Sequence, residues 1–131
     1  MTHIMERGIE ILVTICLLVV GVSHVLQSRT WVDFFVMLRE KGKPGVFAVA
    51  FLHLPIAVLI VAFHPGWRGI PAIVSFLGYG WTLKAAVYLC FPRVGLVTLS
   101  RVTPERAHEF VIGGYVLIAL AGLLTYSLVS R

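Results

Sequence analysis

Apolar residues fill four long stretches of the chain, at about 9–27, 46–64, 71–91 and 109–129, and polar residues collect in the gaps between them. Each stretch reaches the ~20 residues that an α-helix needs to cross a ~30 Å hydrocarbon layer. Runs of that length predict an all-α membrane protein with four transmembrane helices (spans 1 to 4) in a single domain covering 1–131. No stretch of the remaining sequence is long enough for a soluble domain.

The gaps carry their own patterns. In the first, Thr30 reads as a helix cap with Asp33 three positions on as its capping-box partner. Trp31, Phe34, Phe35 and Leu38 then share one face, and Arg39, Glu40 and Lys41 close the segment. That is the pattern of an amphipathic helix in the headgroup layer, its basic end near anionic lipid. Lys43-Pro44-Gly45 breaks it before span 2. In the third gap Thr103-Pro104-Glu105 reads as a helix start, so span 4 is expected to begin before the bilayer does. His64-Pro65-Gly66-Trp67 forms a tight turn between spans 2 and 3.

Sliding the chain by 64 residues lays span 1 on span 3 and span 2 on span 4, and sets Val25–Arg29 against Leu89–Arg93. Hydropathy and segment length agree at this offset better than residue identity does. The expectation is two tandem helical hairpins, about 9–64 and about 71–129, related by a pseudo-two-fold axis along the membrane normal.

Composition supports the membrane assignment. Hydrophobic residues make up 59% of 131 positions, charged residues only 13%, and the mean hydropathy of +0.95 is far above that of a soluble domain. A formal charge of +5 would suggest nucleic-acid binding in a soluble protein, but here the charge follows topology. Seven basic residues (Arg29, Arg39, Lys41, Lys43, Arg93, Arg101 and Arg106) lie in the first and third gaps, against Arg7, Arg68 and Arg131 on the other side. By the positive-inside rule those two connections face the cytoplasm and both termini lie outside. Span 1 lacks a basic leading segment and a clean small-residue cleavage pattern, so it reads as a retained helix rather than a signal peptide. Cys16 and Cys90 sit in different spans without ligand-spaced neighbours, which argues against a disulfide and against a zinc site.

Candidate chemistry centres on Lys84, a charge deep in span 3 that must face protein, water or an anion. Trp81, Lys84 and Tyr88 share a helical face, as do His53, Ala57, Ile60 and His64 in span 2. His24, His53, Lys84, Tyr88 and Tyr115 all fall in the expected cytoplasmic half, leaving Glu10 and Thr14 as the exceptions. These five are the candidate lining of a site for a small polar or anionic ligand. The competing readings are a lysine that snorkels to the headgroups, towards Glu109, and histidines that bond between helices. Trp31, Trp67 and Trp81 are candidate interface anchors. Gly78, Thr82 and Ala85 in span 3, and Gly114, Ala121 and Gly122 in span 4, offer close helix approach within or between subunits. No phosphate loop, nucleophile elbow or paired carboxylates point to an enzyme.

The run His64-Pro65-Gly66-Trp67, Gly78-Tyr79-Gly80-Trp81-Thr82-Leu83-Lys84 and Tyr88-Leu89-Cys90-Phe91-Pro92 resembles a family of small, uncharacterised bacterial inner-membrane proteins. Its members have four spans, an outer turn with a Trp, a Gly-x-x-Trp-x-x-x-Lys type third helix and a Pro that ends it. The likeness covers about 30 residues well and the rest loosely. It departs at His64-Pro65, where the family often has an Asn after the His. The resemblance implies a bacterial inner membrane and lends weight to Lys84 and Trp67, and no activity comes with it. The leading functional expectation is transport or conduction of a small polar or anionic solute, by an oligomer, since four short helices enclose little volume. The second is an accessory subunit of a larger membrane complex, and the third a redox protein holding haem between His24 and His53. The expected partners are the bilayer and either further copies of the chain or other membrane proteins.

Overall fold

The computed structural model of the protein describes residues 1–131, and every regular element is helical. The four spans are α1 (Thr2–Leu26), α3 (Lys43–Phe63), α4 (Ala72–Cys90) and α6 (Ala107–Val129). Short helices α2 (Ser28–Glu40) and α5 (Pro92–Leu99) occupy the first and third connections, and a 3₁₀ turn at Pro104–Arg106 leads into α6. All four spans are long and apolar enough to cross a membrane, which makes this a multi-pass integral membrane protein. Arg7 near the start of α1 donates to the Leu128 carbonyl near the end of α6 at 3.2 Å, so both ends of the chain lie at one end of the bundle. That end is called the terminal end below, and the end carrying α2 and α5 the loop end.

Three boundaries differ from the sequence expectation, each for a local reason. The first helix starts at Thr2 rather than near residue 9, because its polar first turns contain no breaker and helical hydrogen bonds propagate through them. The second begins at Ser28, before Thr30, whose hydroxyl donates to Gln27 Oε1 at 3.0 Å instead of capping a backbone N–H. The third connection contains α5, where a plain loop is expected; Pro92 opens it at a position that needs no N–H. Thr103 precedes the 3₁₀ turn in extended conformation without a side-chain cap. Between α2 and α3 the chain turns at Gly42, whose φ of 67° suits glycine alone among common residues.

The spans pack as two close pairs, α1 with α6 and α3 with α4, and α1 meets α3 more sparsely. In the first pair the backbones touch: a Cβ on Gly114 would lie 2.6 Å from the Gly21 carbonyl oxygen, and one on Gly21 2.9 Å from that of Gly114. In the second pair Gly78 receives the Ile60 side chain, and Ala50 and Ala85 share a buried cluster. Gly78, Ala85, Gly114 and Ala121 are thus consumed within the subunit, whereas nothing lies within 4 Å of a Cβ built on Gly80 or Gly122.

The two halves of the bundle differ. In the terminal half one buried cluster takes residues from all four spans: Val13, Leu17, Ile60, Val74, Ala121 and Leu124. In the loop half Leu38 and Leu99 join α3 and α4 residues, including Tyr88, without α1 or α6. There α2 lies between the pairs, with Trp31 and Phe35 against His24 of α1 and Phe110 of α6. Val32 and Leu38, on its apolar face, are buried by protein.

The 64-residue offset recurs in the element boundaries. It separates the ends of α1 and α4 (Leu26, Cys90), the starts of α2 and α5 (Ser28, Pro92) and the starts of α3 and α6 (Lys43, Ala107). It also relates Gly21 and Gly114 at the α1–α6 contact to Ala85 and Ala50 at the α4–α3 contact.

The backbone contact at Gly21 and Gly114 gives a sharp expectation. Gly114→Ala should destabilise the protein by about 1–3 kcal/mol, because the atom it meets is backbone and cannot step aside. Gly113→Ala, one residue away with nothing within 4 Å of the new Cβ, should leave stability unchanged or slightly higher. Equilibrium unfolding of both variants in mixed micelles reads the difference; equal losses would mean that the pair is not in backbone contact.

Candidate functional site

Buried polar chemistry concentrates at the terminal end. Glu10 lies ~12 Å into α1, on the face turned inward with Val13, Thr14 and Leu17. His64 follows the last residue of α3 and is anchored by its own N–H to the Ile60 carbonyl at 2.8 Å. Ser75 sits in the first turn of α4, and Arg131 lies just beyond α6. The turn His64–Gly66 brings the α3 end over the α4 start, so the imidazole meets the serine and reaches across to α1.

The contacts form one chain. His64 Nε2 lies 3.2 Å from Glu10 Oε1, and the Arg131 guanidinium pairs with Glu10 Oε2. His64 Nδ1 lies 2.9 Å from Ser75 Oγ, which also reaches the His64 carbonyl at 3.1 Å and the Gly66 carbonyl. Arg131 Nε donates to the Ser127 carbonyl at 3.0 Å, holding the guanidinium over the carboxylate. Thr14 donates to the Glu10 carbonyl at 2.7 Å. Glu10, His64 and Ser75 are 3%, 1% and 0% exposed, yet no buried side-chain polar atom lacks a partner. Above Glu10 a recess of about 150 Å³, lined also by His3, Glu6, Arg7 and Arg131, opens at the surface.

Serine, histidine and glutamate in a row are the members of a hydrolytic triad, but this geometry does not serve that chemistry. A nucleophilic hydroxyl needs an approaching substrate and a free base. Ser75 is sealed from the surface and its oxygen is turned to two backbone carbonyls. The cluster instead suits holding charge, and with it holding α1, the α3–α4 turn and Arg131 together.

The five residues singled out from sequence fall in two places. His53, Lys84 and Tyr88 gather on the α3–α4 pair: Lys84 Nζ lies 5.5 Å from the centre of the Tyr88 ring, and the His53 ring is 5.9 Å from Trp81. His24 lies on the other pair, stacked on Trp31 at 4.3 Å and 5.5 Å from Phe110. Tyr115 on α6 is 60% exposed. Each histidine ring bonds its own helix through Nδ1, His24 to the Val20 carbonyl at 2.8 Å and His53 to that of Val49 at 2.9 Å. Lys84 itself is exposed on the flank of α4. Glu109 pairs with Arg106 at 2.7 Å rather than with Lys84. Of the tryptophans, Trp31 points into the bundle and donates to Ser23 Oγ at 2.9 Å; Trp67 is exposed beside Tyr79.

The Glu10 cluster is missed by a reading that ranks polar residues by their depth in one leaflet. Its signal is present in the pattern nevertheless: Glu10, His64, Ser75 and Arg131 all lie towards the same end of a four-span topology. In comparisons with known proteins, no family model matches the chain and no solved structure matches it.

Removing one member of a buried ion pair strands the other. Arg131→Ala, which leaves a carboxylate only 4% exposed without its guanidinium, should therefore cost about 3 kcal/mol, and Glu10→Ala, which leaves a half-exposed guanidinium free to take up water, should cost less. Unfolding titrations in mixed micelles check the ranking, and an Arg131→Ala loss equal to that of Glu10→Ala would contradict it.

Proposed function

We propose that the protein is a non-enzymatic subunit of a larger membrane complex, docking through the face of α4 that carries Lys84. The observation that carries this reading is the state of that lysine. It lies inside a span, ~9 Å from the loop end of α4, is exposed, and has no carboxylate of its own chain within ion-pair distance. The centre of the Tyr88 ring lies 5.5 Å from its Nζ, and a cation–π contact offsets only part of the cost of an ammonium facing hydrocarbon. A carboxylate on a neighbouring transmembrane helix would remove that cost and leave a specific contact.

The surroundings suit such a neighbour. Gly80 precedes Lys84 by one turn on the same exposed face and takes no part in internal packing, so a partner backbone could come close there. The six acids of the chain lie towards the two ends of the bundle, Glu6 and Glu10 at the terminal end and Asp33, Glu40, Glu105 and Glu109 at the loop end, and none sits at the depth of Lys84. The acid is therefore assigned to a different membrane protein rather than to a second copy. In a bacterial inner membrane the basic loop end would face the cytoplasm. Passage of a solute through a single copy has less support, because the buried polar side chains are all engaged with one another or with backbone.

Native mass spectrometry of the complex extracted gently from its own membrane tests the proposal. The wild-type chain should co-purify stoichiometrically with another membrane protein. Lys84→Met should lose that partner at least tenfold while keeping its own fold, and Lys84→Arg should retain most of it. A chain that is recovered alone, or a Lys84→Met variant that keeps its partner, would overturn the proposal.

A further inference from the structure

Hydrogen counting at the terminal-end cluster leads beyond a structural ion pair. Ser75 Oγ has three neighbours at bonding distance: His64 Nδ1 and the carbonyl oxygens of His64 and Gly66. A hydroxyl carries one hydrogen, and a carbonyl can only accept. Donating that hydrogen to a carbonyl and accepting from Nδ1 leaves one acceptor–acceptor contact at Oγ, whereas donating it to Nδ1 leaves two. Nδ1 accordingly bears a hydrogen.

The far side of the ring then sets a condition. A neutral imidazole protonated at Nδ1 has a lone pair at Nε2, and 3.2 Å away stands a carboxylate oxygen that also has only lone pairs. Two acceptors facing each other in a site 1% and 4% exposed would be left unsatisfied and repelling. One further proton resolves the contact, carried either on Nε2 as imidazolium or on Glu10 as carboxylic acid.

We infer that Glu10 and His64 form a binding site for a single proton, whose occupancy decides which way the Ser75 hydroxyl points. With the proton bound, Ser75 faces the carbonyls of His64 and Gly66 and holds the α3–α4 turn. When the proton leaves, it passes by way of Glu10 to the recess and so to water, and the charge of the site falls by one. The remaining imidazole hydrogen must then move to Nε2 to serve Glu10, Nδ1 accepts from Ser75, and the turn carbonyl that held the serine hydrogen loses its donor. The other charged and titratable groups around the site are His3, Glu6 and Arg7 of α1, which line the recess, and Arg131 beyond α6; Ser75 is the contact from α4. The site is independent of the Lys84 face.

The test is nitrogen NMR of the wild-type chain, ¹⁵N-labelled at histidine, in lipid nanodiscs at neutral pH, with His64 assigned by difference from His64→Gln. Infrared spectra of the same preparation, compared with Glu10→Gln, report a carboxylic acid C=O. Two N–H groups on His64, or Nδ1–H alone together with a carboxylic band, support the site. Nε2–H alone, or Nδ1–H without the band, overturns it. Raising the pH until that proton is lost should shift the backbone amide signals of residues 64–67. Loss of the proton with those signals unmoved overturns the coupling to the turn. Where either variant does not fold, sequential assignment of the uniformly ¹³C,¹⁵N-labelled wild-type chain identifies the His64 nitrogens and the Glu10 carboxyl carbon instead.

Discussion

A carboxylate removed from water where four apolar helices meet has to be matched, and the match at Glu10 joins α1, the α3–α4 turn and the end of the chain beyond α6. Between helices in lipid there is no hydrophobic gain of the kind that drives soluble cores, because the tails are as apolar as the side chains. Close packing and polar contacts then decide which helices adhere. The pairs α1–α6 and α3–α4 adhere by packing. Glu10 ties the two pairs to each other, with Arg131 arriving from the α6 side and His64 from the α3–α4 turn. The carboxylate is costly by itself and stabilising only as part of that set.

The loop end solves a different problem. There the pairs part, and α2 lies between them with aromatic rings on one side and Leu38 on the other. Arg39 completes the joint by donating to the carbonyls of Leu99 at 3.3 Å and Val102 at 2.9 Å. Leu99 ends α5 and Val102 lies in the turn after it, and a guanidinium, with five N–H donors, is suited to take both carbonyls. A segment whose sequence reads as a surface helix is therefore also an internal spacer.

How much of this was open to sequence reading follows from the kind of signal each feature leaves. Span number and type were legible, because ~20 apolar residues in a row admit few alternatives. The start of α1 was not, since helices extend through polar residues and hydropathy stops where charge begins. Lys84 stood out because a lone charge in an apolar run is visible by itself. The Glu10 cluster was hidden because its contacts join residues 11 to 121 positions apart and each has an ordinary local reading: a residue near a helix end, a turn histidine, a helix-start serine, a terminal arginine. Only the packing of α1 on α6 and the fold of the α3–α4 turn make them neighbours. Likewise nothing local separates Gly114, which is pressed against a backbone, from Gly113, which is free.

The 64-residue offset adds a consequence to the placing of charge. At that offset Glu10 corresponds to Val74, Ser75 to Ile11, His64 to Leu128 and Arg131 to Trp67. A chain whose halves share one frame of helix boundaries is exposed to exchange, the first half of one molecule docking on the first half of another. Such an exchange would set Ile11 against His64 and Trp67 against Glu10, with no arginine to receive the buried carboxylate. The cluster thus needs one of each half, and a pairing of like halves lacks it.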